Sequence, residues 1–547
     1  MSYRSREMPV PAQLTTRAQV NGYRFLLRRL DHAMVRRDVR MLHDPMRSQS
    51  RSLIIGAILG LLGVAGCVIL ALIHPQGSVG NAKIILGKNS GALFVMVKDQ
   101  SGAVALHPVL NLASARLIAA SAESPTSVAD SKLSSYTLGP LVGIPGAPSA
   151  LPGTSQGTHS DWSLCETVTL SATGSAFGSS TTTSTVVAGA PQLGAQTHTA
   201  GTGEAVLVQH DDKTYLLYDG KRAEIDPSDT VIARTLNLAA HPARPAGTAL
   251  LDAAVPVPPL APPTIPQAGQ PGPGKLSNVP VGGVISVAAV DGNGPPDIYV
   301  VLAGGIQHIG PFAAQMIRNA DSHGMSEIKT ITPDALDGVP VVTTLQIAHF
   351  PSEIPSLVSA EDDPVTCVAW DKSAGMAGQQ VVDSSNPADK AAVSLLIGTR
   401  LPVPSPGQPV QLSSPTGSGD HVDNVYVKPM TGEFVQTTGM DATSLRRDGL
   451  FYITDNGIRF GIPDLATAQL LGLGNAPHLA PWSIVGQLIP GPTLSQRNAL
   501  TSYDTLPTGN EATDEAPPPT TAAAPGTPVV HPTQLPTPQA IPAADTH

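Results

Sequence analysis

The chain is 547 residues long, has a formal net charge of −10 and contains only 14% charged residues. Its length exceeds what one small hydrophobic core can serve, so two or more compact units are expected. The acidic balance offers no electrostatic footprint for nucleic acid, and the 52 Gly and 53 Pro follow no G-x-y period, which excludes a collagen-like protein.

Residues 1–14 are predicted to be disordered, and residues 15–50 to contain a basic amphipathic helix. Thr15 or Thr16 can cap its start, and Asp44-Pro45 ends it. Its narrow apolar seam favours contact with a partner helix, while anionic lipid head groups and incidental periodicity beside a topology signal are the alternatives. The predicted partner-contact residues are Val20, Tyr23, Leu27, Leu30, Met34 and Met41.

A single uncharged stretch of 21 residues, 53–73, predicts a transmembrane helix. At about 1.5 Å per residue it spans roughly 30 Å, the thickness of a hydrocarbon core. The 51 residues before Ser52 hold 11 Arg and 4 acids, a net charge of +7, whereas the rest of the chain carries −17. Because basic flanks stay inside the cell, the N-terminus is predicted to be cytoplasmic and the large remainder exported. A cleaved signal peptide is disfavoured, since its apolar region would be shorter and nearer the N-terminus.

Three cysteines bear on the compartment. Cys67 lies inside the predicted span and serves as a small apolar residue there. Cys165 and Cys367 lie on the exported side, where one disulfide bond or two buried free thiols are the alternatives. Neither has a second Cys or His at ligand spacing, so no metal site is predicted.

Hairpin signals recur along the exported part. Apolar segments flank Gly-containing turns, such as Asp219-Gly220 and Asn456-Gly457, and a helical segment follows several of them. The predicted hairpins lie at residues 91–110, 213–226, 297–309 and 450–464, with 423–436 as a further candidate. The fold class is therefore predicted to be α+β, with one transmembrane helix and an elongated exported domain of about four hairpin-plus-helix repeats around a β-rich central core.

The predicted boundaries follow from composition. Residues 80–254 hold repeats and the first part of the core, and residues 276–503 hold the second part with further repeats. Between them, residues 255–275 are a proline-rich extended connector, because proline lacks a backbone donor and fixes φ. Residues 340–400, around Cys367, are predicted as strands of the core, and residues 504–547 as a disordered tail rich in Pro, Thr and Ala.

Catalytic motifs are scarce in this sequence. It contains no G-x-S-x-G, H-E-x-x-H or C-x-x-C pattern. The nearest match to a phosphate loop is residues 269–276, where Leu276 replaces the Mg²⁺-binding hydroxyl and Pro271 and Pro273 remove backbone donors. We therefore predict no catalytic, nucleotide-binding or metal-binding residues and no cofactor, and we expect a structural or binding protein rather than an enzyme.

Several segments together resemble the EccB family, the B-type membrane component of the mycobacterial type VII (ESX) secretion system. The resemblance runs from residue 15 to residue 507 and departs mainly in residues 172–203 and in the tail. The segments that carry it are TTRAQVNGYRFLLRRLDHAMVRRDVRMLHDP (15–45), HPQG (74–77), HPVLNLASARLI (107–118), GPLVGIPGAP (139–148), WSLCET (162–167), YDGKRAEID (218–226), DPVTCVAW (363–370), GIRFGIPD (457–464) and GPTLSQRNAL (491–500).

This resemblance implies a single-pass protein of the cell inner membrane with a periplasmic domain of four repeats around a central core. It implies a disulfide between Cys165 and Cys367. It also implies a hexameric membrane complex with the EccC motor ATPase, EccD, EccE and a mycosin protease, in which the chain anchors and shapes the periplasmic side of the channel. Peptidoglycan binding is an alternative role, and the ATPase label that family members carry finds no nucleotide motif here.

Overall fold

The fold is that of a computed structural model, which describes residues 16–37, 45–73, 79–98, 102, 104–170, 180–288, 296–373, 391–412 and 422–504. The chain divides into two compact units. An N-terminal unit comprises Met1–Gly91 with Thr126–Ser135, and a β-rich unit comprises Ala92–Pro125 with Tyr136–His547. The tail and residue Met41 lie outside the described residues.

The α-helices are α1 (Arg17–Arg36), α2 (Pro45–Ile73), α3 (Leu112–Ala119), α4 (Asp130–Leu133), α5 (Thr230–Thr235), α6 (Thr248–Ala253), α7 (Pro311–Ala320), α8 (Leu465–Leu471), α9 (Trp482–Val485) and α10 (Gln496–Ala499). Short 3₁₀ turns occupy Leu238–Ala240, Gly274–Leu276 and Pro333–Leu336.

The strands in the first half of the chain are β1 (Ile84–Gly87), β2 (Leu93–Lys98), β3 (Val104–Pro108), β4 (Thr126–Val128), β5 (Leu141–Val142), β6 (His159–Thr169), β7 (Thr181–Ala188), β8 (Thr197–Thr199), β9 (Glu204–His210), β10 (Lys213–Tyr218), β11 (Lys221–Ile225), β12 (Arg244–Pro245) and β13 (Val255–Pro256). Those in the second half are β14 (Val284–Val287), β15 (Asp297–Leu302), β16 (Gly305–His308), β17 (Lys329–Ile331), β18 (Ser356–Leu357), β19 (Val365–Ser373), β20 (Ala392–Gly398), β21 (Val410–Gln411), β22 (Asn424–Tyr426), β23 (Gly432–Thr438), β24 (Leu450–Thr454), β25 (Ile458–Ile462), β26 (His478–Pro481), β27 (Ile489–Pro490) and β28 (Ser502–Tyr503).

Two helices dominate the N-terminal unit. The backbone N–H of Thr16 donates to Gln19 Oε1 at 3.0 Å, which satisfies one of the donors left open at the start of α1. This helix ends at Arg36, because the next residue, Arg37, has a φ of 54° outside the helical region, so α1 stops short of the predicted Asp44-Pro45. The second helix contains an apolar stretch, Ser50–Leu70, with a mean hydropathy of 2.8.

A seven-stranded sheet forms the centre of the β-rich unit, in the order β21-β22-β7-β6-β19-β20-β8. Strands β6 and β19 lie side by side and antiparallel. Side chains alternate between the two faces of a strand. Accordingly, Trp162 and Trp370 enter the largest hydrophobic core on one face, and Cys165 and Cys367 enter a smaller core on the other. The core therefore joins strands from both sides of the proline-rich segment.

Three further sheets in the β-rich unit are each built on antiparallel strands with a parallel strand at one or both edges. Their orders are β12-β9-β10-β11-β13, with β18 also paired to β9, then β16-β15-β14-β17 and β26-β23-β24-β25-β27. Helix α7 packs on β14 and β15, and α8 packs on β25. The β10–β11 turn places Asp219 and Gly220 at φ 47° and 70°, the left-handed conformation that a two-residue hairpin turn requires.

The segments predicted as hairpins pair as follows. Residues 213–226 form β10 and β11, residues 297–309 form β15 and β16, and residues 450–464 form β24 and β25. Within 91–110, β2 pairs antiparallel with β3. The further candidate at 423–436 is wrong, because β22 pairs with β7 and β21 whereas β23 pairs with β24 and β26.

The physical reason for that error lies in the turn. Pro429 lacks the backbone donor that a closing hairpin needs. Val425 is fully buried beside the strands of the central sheet, and this burial holds β22 there. The proline-rich segment begins as β13, an edge strand parallel to β11, where proline is tolerated because no further strand needs its donor.

Candidate functional site

The predicted partner-contact side chains of α1 all lie exposed to solvent. Their exposed fractions run from 41% for Val20 to 75% for Met34, with Tyr23, Leu27 and Leu30 between them. Removing these apolar side chains from water would be favourable, so this surface is suited to contact with another molecule or with lipid. The apolar surface is broader than the seam alone, since Leu26 and Phe25 are exposed as well.

Helix α2 is suited to a bilayer. None of its apolar stretch Ser50–Leu70 is buried within the protein, and Cys67 is exposed there. A helix satisfies all its backbone hydrogen bonds internally, which is the condition for crossing hydrocarbon. The stretch differs from a buried soluble helix because no protein surface covers it.

In the β-rich unit, Cys165 and Cys367 form a disulfide across β6 and β19, with an S–S distance of 2.07 Å. Both cysteines are fully buried, and they are 202 residues apart in sequence. The bond therefore joins, inside one sheet, strands that lie on either side of the proline-rich segment. Among the described residues no group of three His, Cys, Asp or Glu is placed to hold a metal ion.

Two carboxyl groups face each other on the same pair of strands. Asp161 on β6 lies directly opposite Asp371 on β19, one pair beyond Trp162 and Trp370. Asp161 is only 5% exposed, whereas Asp371 is exposed. Burial, followed by a hydrogen bond and repulsion from Asp371, raises the pKa of Asp161 to about 7. Near neutral pH this arrangement can therefore hold one proton between two carboxyls.

Sequence reasoning missed this carboxyl pair, although a signal was present. The segments Asp161-Trp-Ser-Leu-Cys165 and Cys367-Val-Ala-Trp-Asp371 are mirror images at their outer positions. In an antiparallel pair, placing Cys opposite Cys also places Trp opposite Trp and Asp opposite Asp. The disulfide implied by the family resemblance therefore fixes the register that brings the two acids together.

A cavity of about 470 Å³ borders the carboxyl pair. Its polar lining includes Gln156, His159, Asp161, Asp371, Tyr426 and Lys428. The backbone N–H of Asp161 donates to Gln156 Oε1 at 2.6 Å, which ties the segment before β6 to the strand. The cavity thus has mixed charge, with two acids and one lysine, and both strands of the β6–β19 pair contribute to its lining.

A buried arginine, Arg244, contacts the start of β19 and the segment that precedes it. Arg244 Nη1 donates to Asp363 O at 2.8 Å and to Thr366 Oγ1 at 3.0 Å, and its Nη2 donates to Val358 O at 2.8 Å. Burial lowers the pKa of Arg244 to about 10, so the guanidinium stays charged at neutral pH. Its donors hold the segment between β18 and β19 in place, which is a structural role.

The residues of the weak phosphate-loop match, 269–276, make hydrogen bonds and an ion pair within the protein. Lys275, the residue that would contact phosphate, pairs with Asp337 at 3.1 Å and donates to Asp334 O. The Gly272 N–H donates to Val279 O, so that backbone donor is also used internally. These contacts are those of a structural turn.

Comparison with known proteins identifies the family. Residues 12–508 match the family model described as type VII secretion system ESX-1, transport TM domain B. The chain belongs to the EccB family. It is 36% identical over 507 residues to EccB3 of Mycobacterium tuberculosis, an ESX-3 secretion system ATPase by name, covering 90% of each chain. It is 34% identical over 502 residues to EccB5 of Mycobacterium marinum, covering 90% of this chain and 94% of that relative.

Solved EccB structures share its fold. A chain of an intact ESX-5 inner membrane complex superimposes with a TM-score of 0.64 at 32% identity, covering 95% of this chain and 99% of that one. An EccB3 dimer from the ESX-3 core complex gives a TM-score of 0.63 at 32% identity, covering 77% of this EccB chain and all of that one. The prediction of an EccB membrane component with a mixed α and β fold is confirmed.

Proposed function

We propose that this EccB chain is a structural subunit of a type VII secretion complex in the cell inner membrane. The observation that carries this proposal is the family match over residues 12–508 together with an apolar helix that no part of the protein covers. Its solved relatives come from an ESX-5 inner membrane complex and from an ESX-3 core complex. The chain would anchor the complex through α2 and shape the periplasmic side of the channel with its β-rich unit.

Charge supports one orientation of the anchor. The segment before Ser52 carries a net charge of +7, contributed by arginine, and the segment after it is acidic. Basic residues flanking a membrane helix remain in the cytoplasm, so α1 would be cytoplasmic and the β-rich unit periplasmic. The disulfide between Cys165 and Cys367 agrees with this orientation, because disulfides persist in oxidising compartments.

The four hairpins β2–β3, β10–β11, β15–β16 and β24–β25 support the proposal of four hairpin-plus-helix repeats around the disulfide-bonded central sheet. The exposed seam of α1 would contact partner subunits near the membrane, and those partners would include EccC, EccD, EccE and a mycosin protease in a hexameric complex with further copies of this chain. In this arrangement the chain contributes binding surfaces and rigidity, and the motor subunit contributes nucleotide hydrolysis.

Native gel electrophoresis tests this function and the α1 surface together. The tagged chain is extracted from its own membrane in mild detergent, and the band is analysed by mass spectrometry. We expect a megadalton-scale band that contains a motor ATPase and other membrane subunits. Migration of the unmodified chain by itself would contradict the proposed function.

A matched pair of variants locates the contact. Leu30→Glu places a charge on the seam, and Asn21→Glu places the same charge nine positions away, about half a turn round the helix. Both positions are exposed, so neither change disturbs a core. We expect Leu30→Glu to deplete the large band and Asn21→Glu to preserve it. Equal effects of the two variants would show that the seam is not the contact surface.

A further inference from the structure

The Cys165–Cys367 disulfide joins strands β6 and β19, and the two carboxyl groups of Asp161 and Asp371 face each other four residues away along the same strands. The Cys165–Cys367 pair is buried, whereas the Asp161–Asp371 pair lies two residue pairs from the end of the strands, where His159 faces Ser373. Like charges directly opposite each other destabilise an antiparallel pair. The register that the disulfide fixes therefore forces two acids together at the end that borders the cavity.

One lysine, Lys428, shares the cavity with this carboxyl pair. No ion pair to Asp161 or Asp371 occurs among the residues that the structure describes. The titratable or charged side chains that share the cavity are His159, Tyr426 and Lys428. On the adjoining strands, Gly189 next to β7 donates its N–H to Asp161 O, and Ala392 of β20 lies opposite Asp371, so neither position adds charge. On β19 itself, the buried lysine Lys372 follows Asp371.

We propose that Asp161 and Asp371 form a proton-dependent latch that closes the cavity end of the β6–β19 strand pair. With one proton shared between the carboxyls, an O–H donates to a carboxylate oxygen across the strands and the end stays paired. When the proton leaves to solvent, two negative charges face each other and the pairs outside the tryptophans loosen into the cavity. The disulfide keeps the rest of the strand pair in register, so the opening is local.

The direction of the pH response follows from burial and repulsion. The pKa of Asp161 is raised to about 7, against about 3.9 for an unfolded aspartate. A raised carboxyl pKa means that the folded state binds the proton more tightly than the unfolded state does. The stabilisation is therefore complete below about pH 4 and is lost as the pH rises through about 7. The latch is closed in acid and open in mild alkali.

Hydrogen exchange of the full chain in detergent, followed by mass spectrometry, tests the latch. Exchange is compared at about pH 5.5 and about pH 8 after correction for the intrinsic rate. We expect protection in peptides covering 159–161 and 371–373 to fall at least about tenfold at the higher pH, which corresponds to loss of most of the shared proton. Peptides at Cys165 and Cys367 should keep their protection.

Three variants decide the cause. Asp161→Asn removes the buried acid, so protection should stay high at both pH values. Asp371→Asn removes the facing charge but leaves Asp161 buried, so the loss of protection at the higher pH should become smaller. Asp371 is exposed, so its variant tests the latch even where Asp161→Asn folds poorly. His159→Gln should keep the pH response. Equal protection of the unmodified chain at both pH values, an unchanged response in Asp371→Asn, or loss of the response in His159→Gln would each overturn the proposal.

Discussion

Two regions of this protein bury apolar side chains in different ways. In the central sheet, Trp162 and Trp370 lie opposite each other on adjacent strands and are almost completely enclosed by the protein. In α2, the apolar side chains of Ser50–Leu70 are not buried by the protein at all. The same kinds of residue thus lie in a water-free environment inside the fold in one region and outside the protein's own cores in the other.

This difference separates what each region contributes. The stability of the tryptophan pair is intramolecular and can be measured in the folding equilibrium of the chain. The stability of α2 depends on a bilayer and does not enter that equilibrium in water. Substitutions in the sheet should therefore change unfolding, whereas substitutions in α2 should change membrane association and leave the fold of the β-rich unit unchanged.

The largest expected effect is in the anchor. Replacing Leu61 and Val64 together by arginine places two charges at the middle of the apolar stretch. Each arginine costs about 2.5–3.5 kcal/mol at a helix centre, so the pair costs about 5–7 kcal/mol of insertion free energy. We expect carbonate to extract the variant from membranes, while Leu61→Ala with Val64→Ala remains in the membrane pellet. Retention of the double arginine variant in the pellet would argue against a spanning helix.

The next effect is in the core. Trp162→Ala should lower the free energy of unfolding by about 3–5 kcal/mol, because it empties a fully enclosed aromatic site. Trp482→Ala is the control, since Trp482 is 42% exposed and stacks on Arg459 at 4.8 Å. Its loss should cost about 1 kcal/mol. Urea unfolding of the detergent-solubilised chain measures both values, and a similar cost at the two sites would refute the contrast.

The sequence predicts best where local chemistry decides the structure. Asp219-Gly220 specifies a hairpin turn by its conformation alone, and the β10–β11 hairpin forms there. Residues 423–436 show a similar pattern of apolar segments around a turn, yet Val425 is buried in the central sheet. Strand β22 therefore pairs with β7 and not with β23. That choice depends on strands distant in sequence, and no local pattern encodes it.

The carboxyl pair illustrates the intermediate case. Asp161 and Asp371 are far apart in sequence, so neither one alone suggests an acid pair. Their mirrored positions beside Cys165 and Cys367 do specify the pair once the disulfide is taken as given, because antiparallel register propagates from one pair to the next. The cavity beside them also depends on the packing of several loops, so the sequences of the two strands do not predict it.

The smallest expected effect comes from removing the disulfide, and it compares the covalent bond with the tryptophan pair in the same sheet. Replacing Cys165 and Cys367 together by serine removes a bond that closes a loop of about 200 residues, for which the chain-entropy model gives about 5 kcal/mol. Removal of a native disulfide typically costs about 2–5 kcal/mol. We expect the lower end of that range, because the tryptophan pair still fixes the register.

Urea unfolding with and without reductant measures the effect, and reductant should shift the midpoint of the unmodified chain but not that of the variant. A cost above that of Trp162→Ala would mean that the covalent bond, and not apolar burial, holds β6 against β19.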